Sequence, residues 1–577
     1  MPASVAVLGG GVAGLTAAHE LAERGFSVTV YESRSRFGGK ARSIPVPGSG
    51  VDGRADLPAE HGFRFFPGFY RHLPDTMQRV PGRGRKHVLD DLAAADMVMM
   101  AREGGRNELV APAHAPASAN DFEALARFLL AWLTELRIAP DEQSFFMQQL
   151  LVLLTSCEER RFGQWERQSW WTFMQAEQRS PAFQKVLADG LTRTLVAAQA
   201  REMSARTGGY ILLQVLFDLA RLGGRADRLL DAPTNDVWID PWVDHLRALG
   251  VELRPRTSVV GLDYMDGRLS GVTVEDGRSR SVVTADHYVV AMPVEQLVKV
   301  LSPALTAAEP RLGRLHLLRT RWMNGLLFYL RHDVPIVRGH VIYIDSDWAL
   351  TSISQRQFWP RVDFERLGNG SGGGILSVDV SDWERPARRL GKVASMCSAE
   401  EIKDEVWAQM KDHLNDGDEV VLDDANLIGW YLDDDITFPN PSEAANAEPL
   451  LINTPGSWEN RPDAVTSVPN LFLAADFVRT YTDLATMEGA NEAARRAVNG
   501  ILAATGSAAR RCDVWPLHEP AIFGPARELD RLRWKLLRRP PKPPIRVTAD
   551  GRLEPLGALG RLVLRWPAAP PRSSRPR

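Results

Sequence analysis

The sequence predicts an α/β fold with α+β character that opens on a Rossmann-like dinucleotide unit, and three observations predict it. An apolar strand, Val5-Ala6-Val7-Leu8, runs straight into Gly9-Gly10-Gly11-Val12-Ala13-Gly14. A helical pattern follows, with Leu15, Ala18 and Ala22 on one face and Gly25 placed to end it. Phe26, Val28 and Val30 then alternate as a second strand that ends in Tyr31-Glu32.

Each element has a chemical reason. The strand must stop in a turn tight enough to need Gly9, the backbone must approach a pyrophosphate at Gly11, and the helix must pack near the strand at Gly14. The helix start, Val12 and Ala13, faces the phosphates with its partial positive charge. Glu32 falls where a carboxylate accepts both adenosine-ribose hydroxyls, and an acid there disfavours a 2′-phosphate, which argues against NADP. Ser33 and Arg34, directly after it, are counted among the cofactor-binding residues.

At 577 residues the chain is too long for one core, so two or more domains and room for a large cavity are expected. Lys plus Arg total 69 against 72 for Asp plus Glu, a balance that gives no reason to invoke nucleic acid. Cys157, Cys397 and Cys512 are far apart without paired spacing, which argues against a disulfide framework and a zinc site and for a reducing compartment. No metal is expected. The first residues lack a basic start with a long apolar segment, and no apolar run approaches the ~20 residues needed to span a bilayer. A soluble or peripheral protein is expected, cytoplasmic or at the inner face of the membrane.

No internal repeat is apparent. Residues 81–86 read as an exposed loop, and from about 121 to 230 the pattern turns helical, with Phe122, Leu125, Leu129 and Trp132 on one face. Tyr210 to Phe217 is apolar nearly all round, which fits core packing or the wall of an apolar cavity. From 236 to 300 strands return at 251–253, 257–260, 272–274 and 287–292, with hairpin turns at Asp266-Gly267 and Asp276-Gly277. That is a small β-meander feeding back into the nucleotide sheet. Residues 301–460 mix strands and helices, with a glycine-rich loop at 368–374, and a last strand and helix occupy 470–504. After Gly506 the chain is rich in Pro and Arg, and its end, Pro567 to Arg577, reads as disordered.

Two further segments turn a dinucleotide into FAD. In Gly38-Gly39-Lys40-Ala41-Arg42 a glycine doublet lets backbone amides approach the pyrophosphate from the far side, while Arg36, Lys40 or Arg42 supplies positive charge. In Asn470-Leu471-Phe472-Leu473-Ala474-Ala475-Asp476 an apolar strand ends in an acid that can meet the ribityl chain. Met487-Glu488-Gly489-Ala490 then opens a helix with Ala490, Ala494, Ala497, Val498 and Ile501 on its buried face. Its N-terminus can stabilise negative charge at N1 and O2 of a reduced isoalloxazine.

These three elements, with Glu60-His61-Gly62-Phe63-Arg64-Phe65-Phe66-Pro67-Gly68-Phe69-Tyr70, resemble the flavin amine oxidase and phytoene desaturase superfamily. Within it, 471–490 looks most like the plant and cyanobacterial type carotene desaturases and the bacterial hydroxysqualene dehydroxylases. The resemblance implies a discontinuous FAD-binding domain (1–75, 236–300, 455–505) interleaved with a mixed helical/β substrate domain (76–235, 301–454), followed by a partly disordered C-terminal extension (506–577). It also implies non-covalent FAD and hydride transfer from a carbon to flavin N5. Val259, Ala291, Ala475 and Met487 join the cofactor-binding set on the same footing, with His61, Gly62, Phe63 and Arg64.

Two departures from the family pattern matter. The desaturases usually carry a histidine where this chain has Arg64. The amine oxidase branch usually has a lysine reaching N5 through water, yet none occurs between Lys299 and Lys392, and the matching strand reads Trp322-Met323-Asn324-Gly325-Leu326-Leu327-Phe328-Tyr329. Its aromatic-cage position is Thr486 by count. Both absences weigh against an amine as substrate.

No catalytic residue is named from sequence; His61, Arg64 and Thr486 are the candidates nearest the flavin. Glu488 fits either a base or a helix cap. The stretch 531–546, with Trp534 and Leu537 among Arg538, Arg539, Lys542 and Arg546, fits either a solvated tail or a contact with anionic lipid. The expected activity is FAD-dependent desaturation, dehydrogenation or reductive dehydroxylation of a large apolar isoprenoid or polyene, with oxygen or a quinone as electron acceptor. An apolar pocket would hold a C–H bond ~3–3.5 Å from N5. The alternatives are a redox-neutral polyene isomerase that uses reduced FAD, a flavin amine oxidase, and a non-catalytic prenyl-binding escort.

Overall fold

The computed structural model describes residues 2–104, 109–112, 133–190, 199–220, 227–415, 419–548 and 552–565. The expected helical face of Phe122, Leu125, Leu129 and Trp132, and the tail 567–577, lie outside these residues.

Among the described residues, five parallel strands form the nucleotide sheet in the order Leu471–Leu473, His287–Val290, Ser4–Leu8, Ser27–Tyr31 and Glu252–Arg254. Val7, Leu8, Tyr288, Val289, Val290, Leu471 and Leu473 are fully buried. Strands covered on both faces read as such near-continuous apolar runs. The helix Val12–Ala22 packs on this sheet beside the helix Met487–Thr505, joined by a hydrogen bond of 2.9 Å from Asn491 Nδ2 to Thr16 Oγ1. Ala493, Ala494 and Ala497 are fully buried, so small side chains let the second helix lie close. Thr486 caps its start by accepting the Gly489 N–H at 3.1 Å, and Gly506 (φ 63°) ends it in the left-handed conformation.

The meander comprises Ser258–Met265, Arg268–Glu275 and Arg280–Val283. Asp266 (φ 53°) and Gly267 (φ 81°) make the two-residue turn that the Asp-Gly pair predicts. The second turn is wider, with the Asp276 carboxylate accepting the N–H groups of Arg278 and Ser279 at 2.9 Å each. The third strand was not expected from the pattern, because it is exposed and carries no alternating apolar face.

A mixed sheet of seven strands forms the second layer: Leu427–Leu432, Asn324–Leu330, Gly374–Val380, Leu350–Ser354, Gly339–Tyr343, Met97–Ala101 and Leu109–Pro112. Every residue of Asn324–Leu330, Gly374–Val380 and Leu350–Ser354 is buried. Cross-strand partners make one row over this sheet: Gly325, Asp379, Thr351, Ile342 and Met100. The segment at Gly62 lies over the first of these, where a Cβ on Gly325 would come within 3.0 Å of the Gly62 Cα. Helices Pro140–Thr155 and Ala205–Ala220 wall the opposite side.

Much of the stretch after Gly506 is packed. The helix Gly524–Lys535 buries Asp530 against Arg160 (Nε to Oδ2, 2.9 Å), and Phe523, Ile545 and Val547 enter the core that holds Phe146 and Leu150. Its Pro- and Arg-rich composition reads as solvated because the burying contacts come from residues almost 400 positions earlier.

Candidate active site

The glycine turns meet face to face. Gly38 donates its N–H to the Gly10 carbonyl at 2.9 Å, and a bridge joins Gly11 to Gly38. A Cβ on Gly9 (φ 119°) would lie 2.6 Å from the Ala291 carbonyl oxygen, and one on Gly14 would run into the Gly9 carbonyl oxygen. The turn therefore needs glycine for close approach at both positions. Gly39 also has positive φ, 58°.

From these turns one cavity of about 810 Å³ extends into the second layer. Gly9, Gly11, Val12, Ala13, Glu32, Ser33, Arg34, Gly38, Gly39, Lys40 and Ala41 line its first part. Val259, Ala291, Ala475, Asp476, Met487 and Ala490 close this part. His61, Gly62, Phe63, Arg64 and Thr486 stand at its middle. Beyond them the lining turns apolar, with Phe146, Val186, Ile211, Leu212, Val215 and Leu216 facing Met97, Met100, Ile342 and Ile344. The apolar helix 210–217 is thus both core and cavity wall.

Four expected cofactor contacts, Gly14, Arg42, Glu488 and Gly489, stand outside this lining. Arg42 does not supply charge to the cavity, because its guanidinium is taken by Asp435 and by Glu448 (2.9 Å). Burial works against its charge, but those two carboxylates outweigh burial and raise its pKa. Lys40 lines the cavity while its ammonium pairs with Glu295 at 3.2 Å and donates to the Pro449 carbonyl. Arg36 donates to the Ser43 carbonyl at 3.3 Å. Glu488 is a cap for a neighbouring helix: its carboxylate accepts the N–H groups of Arg71 (2.7 Å), His72 (2.8 Å) and Leu73 (2.8 Å).

Glu32 is buried at the end of its strand and accepts the Gly10 N–H at 2.7 Å and the Arg34 N–H at 2.8 Å. His61 sits 2.7 Å from Asp433 and 3.3 Å from Asp435. Burial alone would discharge the imidazole, but these two carboxylates outweigh it and hold His61 above its usual range. His61 is therefore an ion-pair anchor. Arg64 donates to the Gly62 carbonyl at 2.6 Å and to the Lys40 carbonyl, so it braces the second glycine turn against the 61–64 segment.

The polar cavity residues that sequence reading missed include Asp227, Gln296, His340, Thr351, Asp379 and Glu448. His340 pairs with Asp227, while Thr351 and Asp379 are cross-strand partners. The available signal was an acid alternating into an apolar strand, Ile375-Leu376-Ser377-Val378-Asp379-Val380. Burial, opposed by Arg64 and His61, pushes the Asp379 carboxyl up to about 7. Glu60, which accepts the Thr234 N–H at 2.8 Å and hydroxyl at 2.7 Å, is likewise raised by burial to about 7.

The family profile described as "Flavin containing amine oxidoreductase" matches residues 12–502. The chain belongs to the flavin-containing amine oxidoreductase family. A zeta-carotene desaturase of Synechocystis sp. is 23% identical over 529 residues, covering 86% of this chain and 97% of that protein. A carotenoid phi-ring synthase of Streptomyces griseus is 27% identical over 522 residues, 87% of each chain. In fold, the flavin-containing amine oxidoreductase resembles cyclohexylamine oxidase from Brevibacterium oxydans IH-35A, with TM-score 0.57 and 15% identity, covering 88% of this chain and all of that one. An oxidoreductase from Methanosarcina mazei gives TM-score 0.52 at 13% identity, covering 87% of this chain and 100% of that one.

FAD is the cofactor of this flavin-containing oxidoreductase, and the chain's residues fit it. The turns leave a backbone cradle without side chains at Gly9, Gly11, Gly38 and Gly39. A buried acid, Glu32, ends the second strand, and Asp476 holds a buried Oδ1 with no hydrogen-bond partner. An orphaned acceptor in the cavity lining is open to a donor from a bound molecule.

Proposed function

We propose that this FAD-dependent oxidoreductase dehydrogenates a CH–CH bond in a large apolar isoprenoid or polyene chain. One observation carries the reading: a single cavity leads from the glycine cradle past Gly62 and Thr486 into an arm lined by apolar side chains. The names of the carotenoid-active relatives support the same substrate class. Lysine is absent from the strand Asn324–Leu330, which speaks against an amine.

In this reading Glu32 takes the adenosine ribose, the Gly9–Gly14 and Gly38–Gly39 turns take the pyrophosphate, and Asp476 takes the ribityl chain. Gly62 and Thr486 border the flavin ring. None of the three cysteines lines the cavity, which supports a non-covalent cofactor. The bound flavin supplies the hydride acceptor, with oxygen or a quinone reoxidising it. The chain's own part is to exclude water and to fix the C–H bond with apolar side chains. The sheet of 1–75, 236–300 and 455–505 then forms the FAD-binding domain, with the substrate domain in 76–235 and 301–454.

We also infer peripheral docking on anionic lipid through the C-terminal region. Among the described residues no helix is long and apolar enough to cross a membrane. Leu532, Leu536 and Leu537 are 54%, 73% and 55% exposed, and Arg533, Lys535 (paired with Glu159 at 2.7 Å), Arg538 and Arg539 flank them in the chain. Exposed leucines within a basic rim match the apolar interior and the anionic headgroups of a lipid surface. This region is bonded to the cavity-wall helix, with Ser144 Oγ donating to the Thr548 carbonyl at 2.6 Å and Val547 N–H donating to Gln148 at 3.1 Å.

The test is the visible spectrum of the purified protein, followed anaerobically while 15-cis-phytoene, zeta-carotene, squalene derivatives and amines are added. Bleaching of the flavin band by a polyene supports dehydrogenation; bleaching only by amines overturns it. Product isomers that appear only after chemical reduction of the flavin favour the isomerase.

A further inference from the structure

Among the ionisable groups that line the cavity, Asp227 and His340 pair with each other and Glu448 pairs with Arg42, while Asp379 forms no ion pair within 4 Å among the described residues. Asp379 lies between Val378 and Val380 on a fully buried strand, yet its side chain lines the cavity. Its Oδ1 has no hydrogen-bond partner, and a Cβ on Gly62 would come within 2.9 Å of it. The carboxylate therefore sits against the 61–64 segment, where the polar and apolar parts of the cavity meet. Its cross-strand partner Thr351 also lines the cavity and has a buried, unpartnered hydroxyl. The carboxylate accepts a hydrogen bond from the Phe63 N–H, which leaves Oδ1 as a buried acceptor open to a partner.

Dehydrogenation of a C–C single bond removes two different particles. One carbon loses hydrogen with both bonding electrons, and its neighbour loses a proton, whose C–H electron pair becomes the second bond of the alkene. The hydride has a destination in the flavin, and the proton needs a base.

We propose that Asp379 is that base: its carboxylate accepts the proton from the carbon next to the hydride donor. The flavin is the oxidant, reduced by two electrons, and Asp379 becomes a neutral carboxylic acid that returns its proton to water when product leaves. The assignment rests on the dehydrogenase reading. The groups facing Asp379 suit the task. Arg64, His61 and the Phe63 N–H come from the segment above it, and His340, paired with Asp227, from a strand two places along the same sheet. Arg64 is shared with Glu60 and Asp433, so it only partly offsets the burial of Asp379. Burial raises the carboxyl to about 7, where a base is most effective near neutral pH.

The experiment compares wild-type, Asp379→Asn and Asp379→Glu holoenzymes, each checked for bound flavin and a native circular dichroism spectrum. Anaerobic flavin reduction by zeta-carotene in detergent micelles should fall about 10²–10⁴-fold in Asp379→Asn, as expected for loss of a general base. Asp379→Glu should recover part of the rate with a displaced pH profile. The wild-type rate should rise with pH through the neutral range, and Asp379→Asn should lose that rise. A second readout needs no substrate: infrared titration of the resting holoenzyme should show a carboxylic acid band that disappears across neutral pH and is missing in Asp379→Asn. Reduction of Asp379→Asn at the wild-type rate overturns the proposal, and so does absence of the titrating band. A wild-type flavin that no polyene reduces overturns the dehydrogenase reading instead.

Discussion

Glu488 Oε1 lies 2.7 Å from Nδ1 of His72, joining residues 416 positions apart at the starts of two helices. His72 Nε2 accepts the Trp515 N–H at 2.9 Å, which assigns the donated proton to Nδ1. With the N–H groups of Arg71, His72 and Leu73 on the same carboxylate, one acid caps the helix His72–Arg79 from the first turn of Met487–Thr505.

Removing that acid should be costly. Glu488→Ala leaves three backbone donors and an imidazole unpaired in a buried place, and we expect a loss of about 3–5 kcal/mol in urea unfolding. Burial opposes ionisation of Glu488, but His72 and the three N–H groups outweigh it and hold its carboxyl below the ordinary 4.5. A depressed carboxyl stabilises fully above its unfolded value and loses that contribution as pH falls through the folded one. Wild-type stability should therefore drop at acid pH, and Glu488→Gln should flatten that part of the curve.

Glu32→Gln should weaken FAD binding. The change removes a charged acceptor from the ribose while keeping the side chain's shape, a loss of about 1.5–3 kcal/mol, or roughly tenfold to a hundredfold in Kd. Titration of flavin-stripped protein with FAD measures it. Unchanged affinity would show that the acid serves only the turn at Gly10.

Asp379 carries an opposite pH signature from Glu488. Its folded value, about 7, is raised above 3.8, so the folded state holds the proton longer and stability declines as pH rises between those values. Asp379→Asn should melt above wild type at alkaline pH, with the gap closing below about 3.8. Parallel melting curves across this window would show that Asp379 does not titrate there.

Docking through the C-terminal region should respond to both halves of its chemistry. Leu536→Glu with Leu537→Glu should abolish sedimentation with phosphatidylserine vesicles. Arg538→Gln and Arg539→Gln should each weaken it by about 1 kcal/mol, roughly fivefold, with an effect that fades in high salt.

The nucleotide unit was legible in the sequence because its constraints are local. Gly9, Gly14, Gly38 and Glu32 answer to turns, helix packing and one strand end within about thirty residues, and residue type alone encodes such demands. The same holds for the Asp266-Gly267 turn and for the capped helix that starts at Thr486. What Arg42, His61 and Glu488 do was not legible, because their partners Asp435, Asp433 and His72 lie hundreds of residues away and only chain folding brings them into low-dielectric contact. Arg42 looked like a phosphate contact and is an ion-pair anchor; Glu488 looked like a base or its own helix's cap and holds another helix. Asp379 was hidden inside an apolar strand, and only the register with Thr351 and the approach of Gly62 turn it toward the cavity. The sequence by itself determined the cofactor and the sheet that carries it, since short-range geometry suffices for both. The tertiary structure decided which charges are spent on holding the fold and which stay free for chemistry, because burial and long-range pairing set that balance.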